Sequence, residues 1–266
     1  KPTTGFVIQR LNNTLDGGDI ICKGQFPTKN YFFLNKMFIY KKSNYYFKRT
    51  LNYIQQNNSL PKINEEKPYF NKLYKSPSVF EIAKYILNTY SFIFIKILKK
   101  IILKRVNFSV AFNKQNFKSN VISQSTIIKN PKNCFTADPF LFKFENQSYL
   151  FVEEFHYAKK KGVIAVYLLN GINYKRLGIC LEEDFHLSFP YVFKFNNEFY
   201  MCPETCDSHD IRIYKCSNFP LKWKLETTIM KNVSAADNLL FEKDKIWWLL
   251  TNIDPSNVDD HCSELS

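Results

Sequence analysis

The sequence predicts a mainly β protein with about three blades of a β-propeller, preceded by a shorter α/β segment and a helical linker. The first observation behind this is a recurrence. Ala137-Asp138-Pro139-Phe140-Leu141-Phe142 returns 51 residues later as Ser188-Phe189-Pro190-Tyr191-Val192-Phe193, and 99 residues later as Ala236-Asp237-Asn238-Leu239-Leu240-Phe241. The second is that each copy leads into a turn (Glu145-Asn146, Asn196-Asn197, Asp244-Lys245) and then a second apolar run, Tyr149 to Val152, Tyr200 to Cys202 and Trp248 to Leu250. The third is that two more strand-like runs complete a copy. These are Gly162 to Tyr167 and a segment near Leu177 in the first, and Asp210 to Tyr214 and Trp223 to Glu226 in the second. Four strands at this period are the signature of a propeller blade, and the β-branched and aromatic runs exclude helical and leucine-rich repeats.

The charge of the 266-residue chain is unevenly spread. Residues 1–105 hold 19 Lys+Arg against 5 Asp+Glu, a net of +14, while residues 106–266 hold 18 against 19, a net of −1. The lysines of the first part alternate with Phe, Tyr, Ile and Asn rather than gathering into an Arg-rich groove. Solvated helix faces are therefore the preferred reading, and no nucleic-acid partner is expected.

Seven cysteines occur without a close CxxC pair. Cys202, Cys206 and Cys216, with His209 among them, are the one cluster. Their irregular spacing favours buried reduced thiols over a metal site, and no metal is expected. The chain opens Lys1-Pro2 and stops at Ser266 inside the third repeat, which reads as a segment of a longer protein.

In chain order, Thr4 to Leu11 alternates as a half-buried strand, Leu15-Asp16-Gly17-Gly18-Asp19 is a turn, and Ile20-Ile21-Cys22 is a second strand. Thr28 is expected to cap a helix from about Lys29 to Ile54. Thr4-Gly5, the Leu15-Asp16-Gly17-Gly18-Asp19-Ile20 turn and the helix after it resemble the later part of the folate-dependent formyltransferase domain. That domain is shared by methionyl-tRNA, glycinamide ribonucleotide and sugar N-formyltransferases. The resemblance covers about residues 1–55. It implies a catalytic role for Asp16, acting with an Asn-x-His pair that would lie ahead of residue 1, and 10-formyltetrahydrofolate as formyl donor. A tight hairpin turn is the structural alternative for Asp16-Gly17-Gly18.

Residues 57–77 are polar and punctuated by Pro61, Pro68 and Pro77, which marks a linker. Val79 to Lys104 comes next as a helix whose apolar run is too short to span a bilayer. Its lysines, Lys96, Lys99, Lys100 and Lys104, beside Phe92, Ile93, Ile97 and Ile101, suit peripheral contact with an anionic membrane through residues 79–104. Packing between the flanking domains is the alternative. The expected organisation is thus 1–56, 57–105 and 106–266, in a cytoplasmic protein, membrane-associated if that helix binds lipid.

Further motifs lie between the repeats: Phe151-Val152-Glu153-Glu154-Phe155, Gly162-Val163-Ile164, His186-Leu187-Ser188-Phe189-Pro190, Met201-Cys202-Pro203-Glu204-Thr205, Phe219-Pro220-Leu221-Lys222-Trp223, and Trp247-Trp248 after Ala236-Asp237. In order and spacing these resemble the N-terminal domain of plant glucosamine inositolphosphorylceramide transferases and their bacterial relatives, which is itself similar to the five-bladed propellers of glycosidases. The resemblance spans nearly all of residues 108–252 and implies a truncated five-bladed propeller, without the glycosyltransferase domain of the plant proteins.

Inner strands of a propeller begin at its axis, so the heads of the repeats should face one pocket. Asp138 and Asp237 are two such heads, Glu153 and Glu204 occupy equivalent places in copies one and two, and Glu154 and His186 flank them. Glycoside chemistry needs two carboxylates across the scissile bond. The glycosidase resemblance implies Asp138 as base or nucleophile and Glu204 as acid, with Glu153, Glu154, His186 and Asp237 as substrate-binding groups. The structural alternative is that the aspartates hold turns together. Two functions are therefore carried forward. One is a sugar-modifying enzyme, a formyltransferase-like transferase coupled to a carbohydrate-binding or glycosidase-like propeller that takes a carbohydrate or nucleotide-amino-sugar. The other is a non-catalytic carbohydrate-binding propeller with a decayed formyltransferase remnant.

Overall fold

The computed structural model describes residues 3–13, 18–61, 75–102, 107–114, 124–256, 258, 260 and 261. The chain divides into two compact units, Lys1–Val106 and Asn107–Ser266.

In the first unit, β1 (Thr3–Leu11) and β2 (Gly18–Pro27) form an antiparallel hairpin. Asp16 lies outside the described residues. The alternation of β1 turns Thr4, Phe6 and Ile8 to the sheltered side, where Phe26 and Phe38 are buried. Helix α1 (Phe32–Asn57) packs there through Phe38 and Tyr46, whose rings stand 5.9 Å from Phe26 and 5.2 Å from Phe6. Thr28 does not cap this helix, whose N-cap is Tyr31 without a side-chain bond. The Thr28 hydroxyl is instead 2.8 Å from that of Thr4, and Asn35 folds back to accept from the Lys29 N–H at 2.9 Å. Anchoring the chain to β1 competes with capping for the same hydroxyl. Helix α2 (Val79–Ile102) starts on a capping box. The Ser78 N–H donates to Glu81 Oε2 at 2.7 Å, and the Glu81 N–H donates to Ser78 Oγ at 3.3 Å.

The described residues of the second unit are mostly strand. A small pair, β3 (Ala111–Phe112) with β4 (Thr126–Ile127), precedes the repeats. The first repeat is an antiparallel meander of β5 (Cys134–Phe144), β6 (Gln147–His156), β7 (Lys161–Asn170) and β8 (Asn173–Leu181). The second repeats it with β9 (Ser188–Phe195), β10 (Glu198–Glu204), β11 (Asp210–Asn218) and β12 (Lys222–Lys231). The third shows β13 (Ala235–Lys243) paired with β14 (Ile246–Ile253). Among the described residues no sheet closes on itself.

Period-two alternation explains how the sheets stack. On the first sheet, Leu150, Val152, Ala165 and Tyr167 face Val110 and Ile128. The residues between them, Phe151, Ile164 and Val166, join Val192, Met201 and Tyr214 of the second sheet in a shared core. The second sheet then turns Cys202 and Ile211 toward Ala235 and Leu240 of the third. Tyr191 crosses the same seam, its hydroxyl donating to the Leu240 carbonyl. Phe219, from the turn between β11 and β12, plugs the gap between the first two sheets, with ring centroids 4.4 Å from Phe199 and 4.8 Å from Tyr149. The Phe219-Pro220-Leu221-Lys222-Trp223 motif is thus structural, and Trp223 Nε1 closes it by donating to the Pro220 carbonyl at 2.8 Å.

The clustered cysteines separate. Cys202 is buried against the third sheet, Cys216 packs on the core between the first two, and Cys206 meets Ser234 and His261. Burial pushes the Cys202 thiol up to about 12, so it behaves as a small apolar side chain.

Candidate functional site

The head of each inner strand is a β-bulge rather than a turn before the strand. The ladder slips between Ala137 and Phe140, between Cys202 and Glu204 opposite Ser188, and between Ala236 and Leu239. At each slip the second residue of the repeat has a left-handed backbone: Asp138 (φ 46°), Phe189 (φ 44°) and Asp237 (φ 54°). A bulge re-aims the side chain it carries. Asp138 and Asp237 consequently stand exposed at the edge of the sheets, although they lie within strands.

Beside each bulge the register places the same position of the second strand. Ala137 is opposite Glu153, Ser188 opposite Glu204, and Ala236 opposite Asn252. Glu153 is 6% exposed, and Glu204 is half-buried. Asp138, Glu153, Glu204 and Asp237 therefore form one acidic cluster. The Asp138 and Glu204 charges both act on Glu153, and the Asp237 N–H donates to Glu204 Oε2 at 3.2 Å across the seam between the second and third sheets.

His186 closes the cluster beside Glu153. The Gly162 N–H donates to His186 Nδ1 at 2.8 Å, so the neutral ring carries its proton on Nε2, which faces Glu153 Oε1 at 3.6 Å. Gly162 is required by this close approach. A Cβ there would lie 2.4 Å from the Leu187 carbonyl oxygen and 2.9 Å from Glu153 Oε1.

The electrostatics arise from burial beside like charges. Burial first, then the charges of Asp138 and Glu204 and a hydrogen bond with Asp138, raise Glu153 to about 8. Burial also raises Glu204, against the Asp237 N–H that favours its charged form. His186 is lowered by burial, opposed by the Asp207 and Asp138 charges. At neutral pH the cluster thus holds a protonated Glu153 and a neutral His186 next to the Asp138 carboxylate. One group can give a proton where its neighbour can take one.

Glu154 stands apart from this arrangement. It is 1% exposed inside the first sheet, where Arg176 grips both oxygens, at 2.9 Å and 3.0 Å. Cys134, Glu154 and His156 bring three donor atoms within 4.8 Å of one another. The Glu154 carboxylate of this trio is already paired with the Arg176 cation. The nearby rings have structural partners: Phe140 meets Tyr191 at 5.1 Å and Phe155 stacks on Phe135 at 4.9 Å. Two participants, Gly162 and Asn252, do not stand out as site residues in the sequence. Asn252 has a signal there all the same, because it falls 99 residues after Glu153, at the same shift that relates Asp138 to Asp237.

Comparison with known proteins bears on this second unit. "Glucosamine inositolphosphorylceramide transferase 1" of Oryza sativa subsp. indica is 39% identical over 120 residues, which are 44% of this chain and 16% of the rice protein. The Arabidopsis thaliana protein of the same name is 40% identical over 118 residues, 44% of this chain and 15% of that one. The matched stretch is thus about a sixth of these relatives' length. Among solved structures, the GH32 β-fructofuranosidase BmSUC1 of Bombyx mori aligns with TM-score 0.37 and 15% identity, covering 55% of this chain and 36% of the other. An α-L-arabinofuranosidase from Lactobacillus brevis aligns with TM-score 0.33 and 15% identity, covering 48% and 47%. The family match begins at residue 100 and gives no support to formyl transfer by residues 1–55. Its span takes in every strand of the repeats and the whole acidic cluster: the chain belongs to the family described as glucosamine inositolphosphorylceramide transferase 1, N-terminal, whose model matches residues 100–265.

Proposed function

We propose that the second unit is the carbohydrate site of a glycosyl-modifying protein, its sheets being successive blades of a five-bladed propeller with the acidic cluster at the shared mouth. The observation that carries this is the Glu153–Asp138 pair, a buried carboxyl raised to about 8 beside a second, exposed carboxyl. Sugar hydroxyls both donate and accept, and a mixed acid–carboxylate pair offers them both partners. The relatives are named for a glucosamine transferase. An amino-sugar ring fits the reading because its ammonium complements a cluster of four carboxyl groups, whereas the phosphates of a nucleotide find no cation among them.

In acid–base terms, Glu153 rather than Glu204 takes the donor role, with Asp138 as acceptor and His186 Nε2–H as an orienting group. The test uses the whole chain. Calorimetric titration with glucosamine, a glucosaminyl-inositol and myo-inositol should give binding that Asp138→Asn weakens about tenfold or more, the loss of one charge-assisted contact. Aryl glucosaminides then separate chemistry from recognition. Glu153→Gln should keep binding and abolish any cleavage shown by the parent. Absence of binding to all three ligands at millimolar concentration refutes the reading.

A further inference from the structure

Helix α2 has no buried residue along its 24 positions. Its ties to the first unit lie on one side. Tyr85 Oη accepts from the Phe32 N–H at 3.0 Å, the Phe92 ring meets Tyr31 at 6.3 Å, and Thr89 and Ile93 are its half-buried residues. At 100° per residue, Val79, Ile86, Tyr90, Phe94, Ile97 and Ile101 fall on a separate stripe. All six are exposed, from 45% at Ile86 to 80% at Val79. Single exposed apolar residues are ordinary, but a stripe of this length along a helix marks an interaction surface.

The charges on the same helix identify the occupant. It carries Lys84, Lys96, Lys99 and Lys100 against Glu81 alone, with Lys100 beside the stripe, Lys84 and Lys96 farther round on its two flanks, and Lys99 on the opposite face. The stretch is not a spanning helix, since no helix among the described residues is long and apolar enough to cross a membrane. A second copy of the chain would bring like charges together along the stripe. A bilayer with anionic headgroups instead offers an apolar layer for the stripe and counter-charges for lysines whose stems snorkel upward. We propose that α2 is an interfacial helix that lays this stripe into the surface of an anionic membrane. This inference is independent of the acidic cluster.

The test is co-sedimentation of the full chain with phosphatidylcholine vesicles, with and without about one-third phosphatidylglycerol, at low and high salt. Binding is expected to the anionic vesicles and to fall with salt. Lys100→Ala should lower partitioning about fivefold, and Lys99→Ala, on the face away from the stripe, by less. Phe94→Glu and Ile97→Glu should lower it at least about tenfold by removing the apolar anchor. Phe94→Leu should retain binding, and circular dichroism of each variant guards against loss of the helix. Equal partitioning onto neutral and anionic vesicles overturns the proposal, as does indifference to the stripe variants. So does a dimer in sedimentation velocity that Ile97→Glu dissociates while vesicle binding is absent.

Discussion

Replacing Glu153 by Gln should stabilise the second unit, and by an amount that depends on pH in a way that identifies the cause. Glu153 is raised from 4.5 to about 8 in the folded chain. Between those values the folded state holds a proton that the unfolded state has released. The stability carried by protonated Glu153 is therefore fully present below about 4.5 and is lost as pH rises through about 8. At about 1.4 kcal/mol per pH unit, the loss reaches about 3 kcal/mol at pH 7 and about 5 kcal/mol above pH 8. Gln copies the shape and donor capacity of the protonated acid without a titrating proton, so the variant escapes the loss. Its advantage should be near zero at pH 4.5 and grow steadily to pH 8. At pH 7 it should raise the midpoint by about 6–12 °C for a unit of this size. Tryptophan fluorescence is a selective probe, because Trp223, Trp247 and Trp248 all lie in the repeats. A stability difference that stays flat between pH 5 and 8 refutes the shared-proton account of the cluster.

Three further substitutions test the packing that builds the site. Gly162→Ala should cost about 2–3 kcal/mol in denaturant unfolding, because its Cβ would meet a backbone oxygen that cannot step aside. Arg176→Met leaves the buried Glu154 carboxylate without its cation. A loss of about 2 kcal/mol is expected, below the figure for a fully buried pair because Arg176 is about one-third exposed and His156 Nε2 lies 3.1 Å from Glu154; adding Glu154→Gln should restore part of it. Tyr191→Phe removes the hydroxyl that reaches Leu240 across the second seam and should cost about 1 kcal/mol without altering carbohydrate binding.

Much of this architecture is legible in spacing alone. The shifts of 51 and 99 residues align Asp138 with Phe189 and Asp237, and Glu153 with Glu204, and the ladders place each set at one register. The unbroken apolar run Leu150-Phe151-Val152 fits a sheet buried on both faces, and its residues do divide between two cores. Pairings between distant residues are not legible. Glu154 looks equivalent to its neighbour in the sequence, yet Arg176, 22 residues on, claims it for the interior. The proton on Glu153 arises from its burial and then from carboxyl groups on β5 and β10, which no local pattern brings together. At Thr28 the capping expectation fails because a tertiary partner on β1 takes the hydroxyl. The Ser78-x-x-Glu81 box, by contrast, is a local signal and marks the start of α2.

The bulges bear on whether the aspartates serve structure or chemistry. If Asp were needed to hold the left-handed turn, the second repeat could not make it with Phe189, yet Phe189 adopts φ 44° within a few degrees of Asp138. A bulky residue in that region costs about 1–2 kcal/mol, so the conformation is imposed by the repeat and does not need an acidic side chain. The contribution of the aspartate side chain then differs between repeats. In the third, Asp237 Oδ2 accepts from Asn252 Nδ2 at 2.9 Å, a pairing that stabilises the strand head. In the first, the Asn252 position is Glu153, and the same geometry sets two acids side by side, tolerated near neutral pH only because one of them keeps its proton. A stabilising role accounts for Asp237. For Asp138 the pairing subtracts stability at pH 7, so a role for this carboxylate has to be sought in what the cluster binds, which is why Asp138→Asn is the substitution that most directly tests the carbohydrate reading.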